Sequence, residues 1–193
     1  MPTIVEPTRM TRADYLAFER ASEARHEFHD GVLVPMSGAS PSHNLIMINL
    51  LFELRLWQRG RSPARVFGSD LRVRFEDSYV YPDALVCAET PQFEEGTFAT
   101  LLNPAIVFEI LSPSTSVYDR GHKADGYRRL DTLTDYLIVS QTRMAVEHWT
   151  RSETGWSAVE LTRPDDAIRL ASIGLELTLR RVYDEVSLPA VDA

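Results

Sequence analysis

The chain has 193 residues, 28 acidic and 20 basic, for a formal net charge of -8. With 44% hydrophobic and 25% charged residues, it reads as one ordinary globular domain over 1–193 with its core at about 10–183, which argues against disorder. The acidic balance argues against a sequence-blind coat for nucleic acid, and the only cysteine, Cys87, excludes an intrachain disulfide or a thiolate metal cage and reads as a small buried hydrophobe; the longest apolar run, Ala84 to Ala88, is too short for a membrane span, and no apolar N-terminal signal is seen, so a soluble cytoplasmic protein is expected.

Thr11 with Asp14 three residues on resembles a capping box, which predicts a first helix from Arg12 to about Glu23. Glu27-Phe28-His29, Asp30-Gly31 and Val32-Leu33-Val34 predict a tight hairpin. A loop follows from Pro35 to Pro41. From Ser42 to about Gln58, Ile46, Met47, Leu50, Leu51, Leu54 and Trp57 recur at helical spacing and define one buried stripe. Arg65 to Phe67 and Leu71 to Phe75 read as strands, the second with Arg72 and Arg74 on a wet face. Tyr79 to Ala88 reads as a strand whose apolar second half is covered on both faces, and Ala105 to Leu111 as another, separated by an acidic loop from Glu89 to about Leu102. A helix from about Asp119 to Leu130 leads to a strand at Tyr136 to Ser140. The end of the chain reads as antiparallel strands (Ala145 to Arg151, Trp156 to Leu161), a short strand near Ile168 and a helix at Leu179 to Asp184. A few buried central strands flanked by helices, with an antiparallel periphery, predict an α/β protein.

Basic residues are unevenly distributed. Arg55, Arg59, Arg61, Arg65, Arg72 and Arg74 are interrupted by one acid, Asp70, a pattern that suits either a solvated surface or a phosphate-facing patch. Only one of the 20 basic residues is a lysine, Lys123. In a chain that otherwise uses arginine, a retained lysine suggests a position that needs a compact ammonium.

Two carboxylates sit where carboxylates are costly. Asp83 immediately precedes the apolar run at Ala84, and Glu109 lies inside the apolar strand Ala105 to Leu111. A buried carboxylate costs several kcal/mol unless a cation or donors compensate it. An arginine salt bridge would serve; so would a Mg²⁺ or Mn²⁺ ion, which takes hard oxygen ligands and commonly keeps part of its water shell.

Tyr81-Pro82-Asp83, then Val107-Phe108-Glu109-Ile110-Leu111-Ser112-Pro113-Ser114-Thr115, then Tyr118-Asp119-Arg120 with Lys123 and Tyr127, closely resemble the Uma-two family of bacterial proteins. Glu27 with Asp30-Gly31, Ser42-His43 and Phe67-Gly68-Ser69-Asp70-Leu71 extend the resemblance over most of the chain, from about Met10 to Tyr183. It implies a restriction-endonuclease-like fold of the PD-(D/E)XK nuclease superfamily: a mixed central sheet flanked by helices, with antiparallel additions. It also implies that Asp83 and Glu109 are metal ligands and that Glu27 is a further acid near the metal. The superfamily motif places lysine two residues after the second acid, where this chain has the apolar Leu111; in the resembling family the lysine has moved to the next helix, as Lys123. The implied activity is Mg²⁺- or Mn²⁺-dependent hydrolysis of phosphodiester bonds, with DNA the expected substrate and a homodimer the expected assembly. Catalytic roles fall to Glu27, Asp83, Glu109 and Lys123.

Other polar residues carry weaker expectations. His26 and His29 flank Glu27 three residues apart, so strand alternation argues against a shared metal and for surface positions. His43 either lies near the site or caps the long helix. Ser112, Ser114 and Thr115 suit a turn after Glu109, Asp119 suits a helix cap, and Tyr127 shares Lys123's helix face. A non-catalytic binding or assembly protein that keeps the fold is the alternative, favoured by the net charge and the displaced lysine. A two-carboxylate glycosidase has little support from the scattered Trp57, Trp149 and Trp156.

Overall fold

The structure is a computed structural model that describes residues 9–36, 38–61, 63–96, 100–111 and 119–189, with Asp119 described by its backbone alone. Helix α1 (Arg12–Ala21) starts at Thr11, whose side chain accepts from the Asp14 N–H while the Asp14 carboxylate accepts from the Thr11 N–H, closing the capping box. Strands β1 (His26–His29) and β2 (Val32–Pro35) form the expected hairpin. Asp30 and Gly31 both take positive φ, 46° and 90°, as a two-residue turn between right-twisted strands requires. Helix α2 (Pro41–Gln58) is capped by Ser40, whose Oγ accepts from the His43 N–H, and buries Ile46, Leu50, Leu54 and Trp57. His43 is therefore not the cap.

Next come β3 (Arg65–Gly68), β4 (Arg72–Phe75), β5 (Ser78–Val80) and β6 (Ala84–Cys87). Two expectations are corrected here. Tyr79 to Ala88 is not one strand: β5 and β6 belong to different sheets, and Tyr81-Pro82-Asp83 is the crossing between them. Pro82 has no N–H to give a ladder, so pairing stops there. Nor does Arg72 face water. It is buried beneath α1, its guanidinium 5.7 Å from the ring centroids of Tyr15 and Tyr79, while Arg74 pairs with Glu94.

The chain continues through β7 (Thr100–Leu101), β8 (Ile106–Leu111), a π-helical turn (Asp119–Lys123) running into α3 (Ala124–Arg128), β9 (Asp135–Ser140), β10 (Val146–Ser152) and β11 (Gly155–Leu161). A hairpin of β12 (Ala167–Leu170) and β13 (Leu175–Thr178) precedes α4 (Leu179–Val182); only its first strand was predicted.

The central sheet has six strands in the order β11-β10-β9-β8-β6-β3, with β8 and β9 parallel and every other neighbouring pair antiparallel. A five-stranded sheet, β2-β1-β5-β4-β7, forms a second layer. Strand β8 is buried at all six positions and alternates between two cores. Ile106, Phe108 and Ile110 pack with the α2 stripe and with Ile168, Leu177 and Val182. Val107 and Leu111 pack on the other side with Val73, Phe75, Tyr127 and Tyr136. Glu109, between Val107 and Leu111 in this alternation, consequently points into the layer between the two sheets. Cys87 is buried and its thiol is pushed up to about 11 by desolvation, the state of an inert core thiol. Among the described residues no helix is long and apolar enough to cross a membrane.

Candidate active site

The register of β6 on β8 pairs Ala84 with Phe108 and Leu85 with Val107. Continued by one residue it sets Asp83 opposite Glu109, and directly opposed residues of an antiparallel pair share a face. The two acids are further tied through the backbone, because Asp83 Oδ2 accepts from the Ile110 N–H at 2.7 Å. Pro82 thus releases Asp83 from the ladder just where its carboxylate can take over that ladder donor.

Lys123 reaches the same place from the connection that follows β8. The π-helical turn and α3 form the connection between the parallel strands β8 and β9, and such connections pack on the sheet they cross. Lys123 ends the π-helical turn, a local widening often found at functional sites. Its Nζ lies 3.4 Å from both Glu109 oxygens and 2.8 Å from Glu27 Oε1. Tyr127, one helical turn on, donates its hydroxyl to Glu109 Oε1 at 3.0 Å. Glu27 arrives from β1; its Oε1 also accepts from the Tyr81 N–H at 3.0 Å, and its Oε2 lies 3.4 Å from His29 Nε2.

These groups are nearly closed to solvent: Glu27 is 6% exposed, Glu109 4% and Lys123 5%. Burial pushes the Glu27 carboxyl up, but the Lys123 ammonium and the bonds from His29, Lys123 and the Tyr81 N–H outweigh it and hold the group at about 2. Burial lowers the His29 imidazole against the pull of Glu27, and raises the Tyr127 phenol well above its ordinary value, with the Glu109 charge adding to the rise. At neutral pH Glu27 is therefore ionised and Tyr127 is a donor.

The water-facing edge of the site is Asp83 with His43, whose side chains are 15% and 14% exposed and stand 3.1 Å apart, Nε2 to Oδ1. His43 Nδ1 is buried with no hydrogen-bond partner among the described residues. Among the described residues Glu27 and Glu109 face the Lys123 ammonium in a nearly dry layer, and Asp83 stands at its edge against His43, so the carboxylate oxygens gathered here are of the hard kind that Mg²⁺ or Mn²⁺ takes. Among the described residues no three His, Cys, Asp or Glu side chains form a ready-made cage. The chemistry of Asp83 and Glu109 fits an ion held by two carboxylates that keeps several waters, the usual habit of Mg²⁺.

Glu27, Glu109 and Lys123, named from the sequence, thus meet directly, and Asp83 joins them across the β6–β8 register. His43 lies beside Asp83. His29 is buried rather than on the surface, because it shares the inner face of β1 with Glu27; His26, on the opposite face, bonds Glu19 at 3.1 Å. Leu111, where the superfamily motif would place lysine, is buried apolar core. Ser112, Ser114, Thr115 and the Asp119 side chain lie outside the described residues. Sequence reasoning passed over two contributors, the Tyr81 N–H and Gln141, and placed a third, Tyr127, only on the helix face of Lys123. The Tyr81 N–H acts through backbone and leaves no side-chain signal. The Tyr127 hydroxyl contact was legible only as helical spacing. Gln141 donates to the Leu111 carbonyl at 2.7 Å and bonds the Ser40 cap, so it ties the end of β8 to the start of α2; nothing in the sequence marks it.

A solved structure of "a putative nuclease belonging to DUF820" from Anabaena variabilis superposes on this chain with a TM-score of 0.71 at 18% identity, covering 90% of this chain and 97% of that one. The fold is the mixed α/β arrangement of restriction-endonuclease-like nucleases. The family model Uma2, described as "Putative restriction endonuclease", matches residues 12–180, and the chain belongs to that family. Two uncharacterized Synechocystis proteins are similar to it: sll1609, 34% identical over 155 residues, 79% of this chain and 87% of that protein, and slr1290, 30% identical over 179 residues, 91% and 92%.

Proposed function

We propose that this chain is a metal-dependent nuclease that hydrolyses phosphodiester bonds, with DNA as substrate and the cytoplasm as its place of action. The observation that carries the reading is the meeting of the chain's sole lysine with acids from two other elements, Glu27 and Glu109, beside Asp83. Asp83 and Glu109 are the residues that would hold Mg²⁺ or Mn²⁺. When bound, the ion supplies acidity to a water and neutralises charge on the phosphate.

The chain's own groups do the rest. Lys123 carries a fixed positive charge toward a phosphate oxygen on which negative charge grows, or orients the attacking water. Glu27, ionised and 2.8 Å away, fixes the position of that ammonium while helping to order water around the ion. Tyr127 fixes one oxygen of Glu109, and His43 fixes one oxygen of Asp83, so neither carboxylate rotates freely. Water adds through oxygen to phosphorus, the bond to the leaving sugar oxygen breaks, and the proton lost by the water returns to that oxygen through solvent. A symmetric dimer belongs to the same proposal, since two sites related by a two-fold axis match two antiparallel strands; sedimentation would give twice 21.9 kDa.

The test incubates purified protein with single- and double-stranded DNA and RNA in Mg²⁺, Mn²⁺ or EDTA, beside Asp83→Ala. Cleavage of DNA that needs the metal and Asp83 is expected. Cleavage that survives both EDTA and the substitution is contamination and overturns the reading. The alternative, a non-catalytic binding protein, is favoured by the net charge of -8 and requires that no substrate be cut under any of these conditions.

A further inference from the structure

Beyond the site, an open cleft at the far end of α2 is lined by Arg55, Gln58, Arg59, Gly60, Arg61 and Arg65. Its four arginines are all exposed. Several exposed arginines elsewhere in this acidic chain find carboxylates, Arg129 with Glu76, Arg143 with Glu160, Arg169 with Glu176 and Arg180 with Asp165, while Arg9, Arg20, Arg25 and Arg163, scattered singly, form no ion pair among the described residues; the cleft instead gathers four arginines in one place. Among the described residues, none of the four around the cleft meets a carboxylate. The bonds of three of them go to neutral acceptors. Arg55 bonds the Gln58 amide oxygen, Arg61 bonds the Trp57 carbonyl with its guanidinium 5.5 Å from the Trp57 ring, and Arg65 bonds the carbonyls of Pro63 and Ala64.

The end of α2 explains only part of this concentration. A helix C-terminus carries about half a negative charge, enough to favour one cation but not four. With the four arginines removed from the sum, the remainder of the chain carries -8 minus 4, or -12. A positive cleft kept without acids on so negative a molecule, with guanidiniums steadied by carbonyls and a ring, is organised for anions.

We propose that this cleft is an accessory binding site for the phosphates of nucleic acid, which anchors the substrate away from the point of cutting. The inference deepens the nuclease reading and rests on it for the substrate class. Helix α2 gives the spacing. His43 stands beside Asp83 near its start, and Arg59 follows its last turn; the intervening residues, at ~1.5 Å each, span about 24 Å. Duplex DNA advances ~3.4 Å per base step, so the cleft would grip phosphates roughly seven steps from the scissile bond. Such contacts position nucleic acid without reading its sequence.

The experiment measures fluorescence anisotropy of a labelled duplex several helical turns long, in EDTA so that nothing is cut, over a series of KCl concentrations. Wild type is compared with Arg55→Gln/Arg59→Gln, whose fold is checked by thermal melting, and with inorganic phosphate as competitor. The expected result is a loss of affinity of on the order of tenfold or more, equal for unrelated sequences, with the slope of log affinity against log salt reduced by about two. Binding by the variant with wild-type affinity and slope overturns the proposal. So does displacement of the duplex by inorganic phosphate at matched phosphate concentration, which would make free phosphate the ligand. A duplex that is bound through these arginines but never cut in any metal sinks the nuclease reading and keeps the cleft; a duplex that is cut while the variant binds it normally does the reverse.

Discussion

Lys123 Nζ and Glu27 Oε1 stand 2.8 Å apart, one carried by the turn after the central strand β8 and the other by the first hairpin. Their contact joins the two sheet layers through a buried ion pair, and Glu109 completes a carboxylate, ammonium, carboxylate row. Removing one partner of such a set leaves uncompensated charge in the interior, which costs more than the intact pair contributes.

Lys123→Met should therefore destabilise the protein by about 3–5 kcal/mol, a drop on the order of 10 °C in Tm for a chain of this size. Adding Glu27→Gln to that variant removes one stranded charge and should recover part of the loss. Melting curves of the two variants check this; a Lys123→Met protein as stable as wild type would show that the ammonium is not buried between the acids.

Acid should weaken the fold through Glu27. Its folded-state value is held at about 2, below the ordinary 4.5, so its contribution is complete above pH 4.5 and is lost as pH falls from there through about 2. The shift corresponds to on the order of 3 kcal/mol. His29, lowered by burial below its ordinary 6.5, adds an earlier loss of stability as pH falls below that value, because the unfolded chain then binds a proton that the folded chain refuses. Urea unfolding across pH should show the lower step flattened in Glu27→Gln; an unchanged profile there would remove Glu27 from the account.

The helix that carries Lys123 is set against the second layer without slack. A Cβ at Gly126 would come within 2.1 Å of the Phe75 ring edge, and Tyr127 packs on the same ring with centroids 5.1 Å apart. Gly126→Ala should cost about 1–3 kcal/mol by overpacking and carry Lys123 off its acids, so that cleavage falls further than stability alone explains. Tyr127→Phe, which keeps the packing and removes only the donor to Glu109, should cost about 1–2 kcal/mol. Paired melting and cleavage measurements separate the two; equal effects on both variants would contradict the packing argument.

His43 touches Asp83 without entering the buried row. His43→Ala should leave melting nearly unchanged but raise the Mg²⁺ concentration needed for half-maximal cleavage by about 10–100-fold, the usual cost of losing the group that orients a metal-binding carboxylate. A metal titration of cleavage measures it, and an unshifted midpoint would make the contact incidental.

How much of this was legible in the sequence depends on the kind of signal. Periodicity marked α2 and the buried strand β8, and Asp30-Gly31 marked the hairpin that delivers Glu27, because each is a local pattern with one steric solution. The break at Pro82 was readable in principle, but the apolar run after it masked the change of sheet. Arg72 was misjudged because alternation reports which residues share a face, not what later covers that face; α1 and its Tyr15 do so here. Of the site, the costly positions of Asp83 and Glu109 and the lone lysine were visible one by one. Their meeting was not, since it depends on β6 pairing with β8 in one register and on the direction of α3, both tertiary. The ties made by the Tyr81 N–H and by Gln141 left no compositional trace.

The central claim is that Asp83 and Glu109 share one divalent ion beside Lys123. Manganese binding followed by electron paramagnetic resonance, on wild type and on Asp83→Asn and Glu109→Gln, reads it without relying on activity. One Mn²⁺ per chain in wild type, with affinity reduced on the order of tenfold or more in each variant, is the predicted result. Wild-type protein that binds no Mn²⁺, or variants that bind it as wild type does, would contradict the claim.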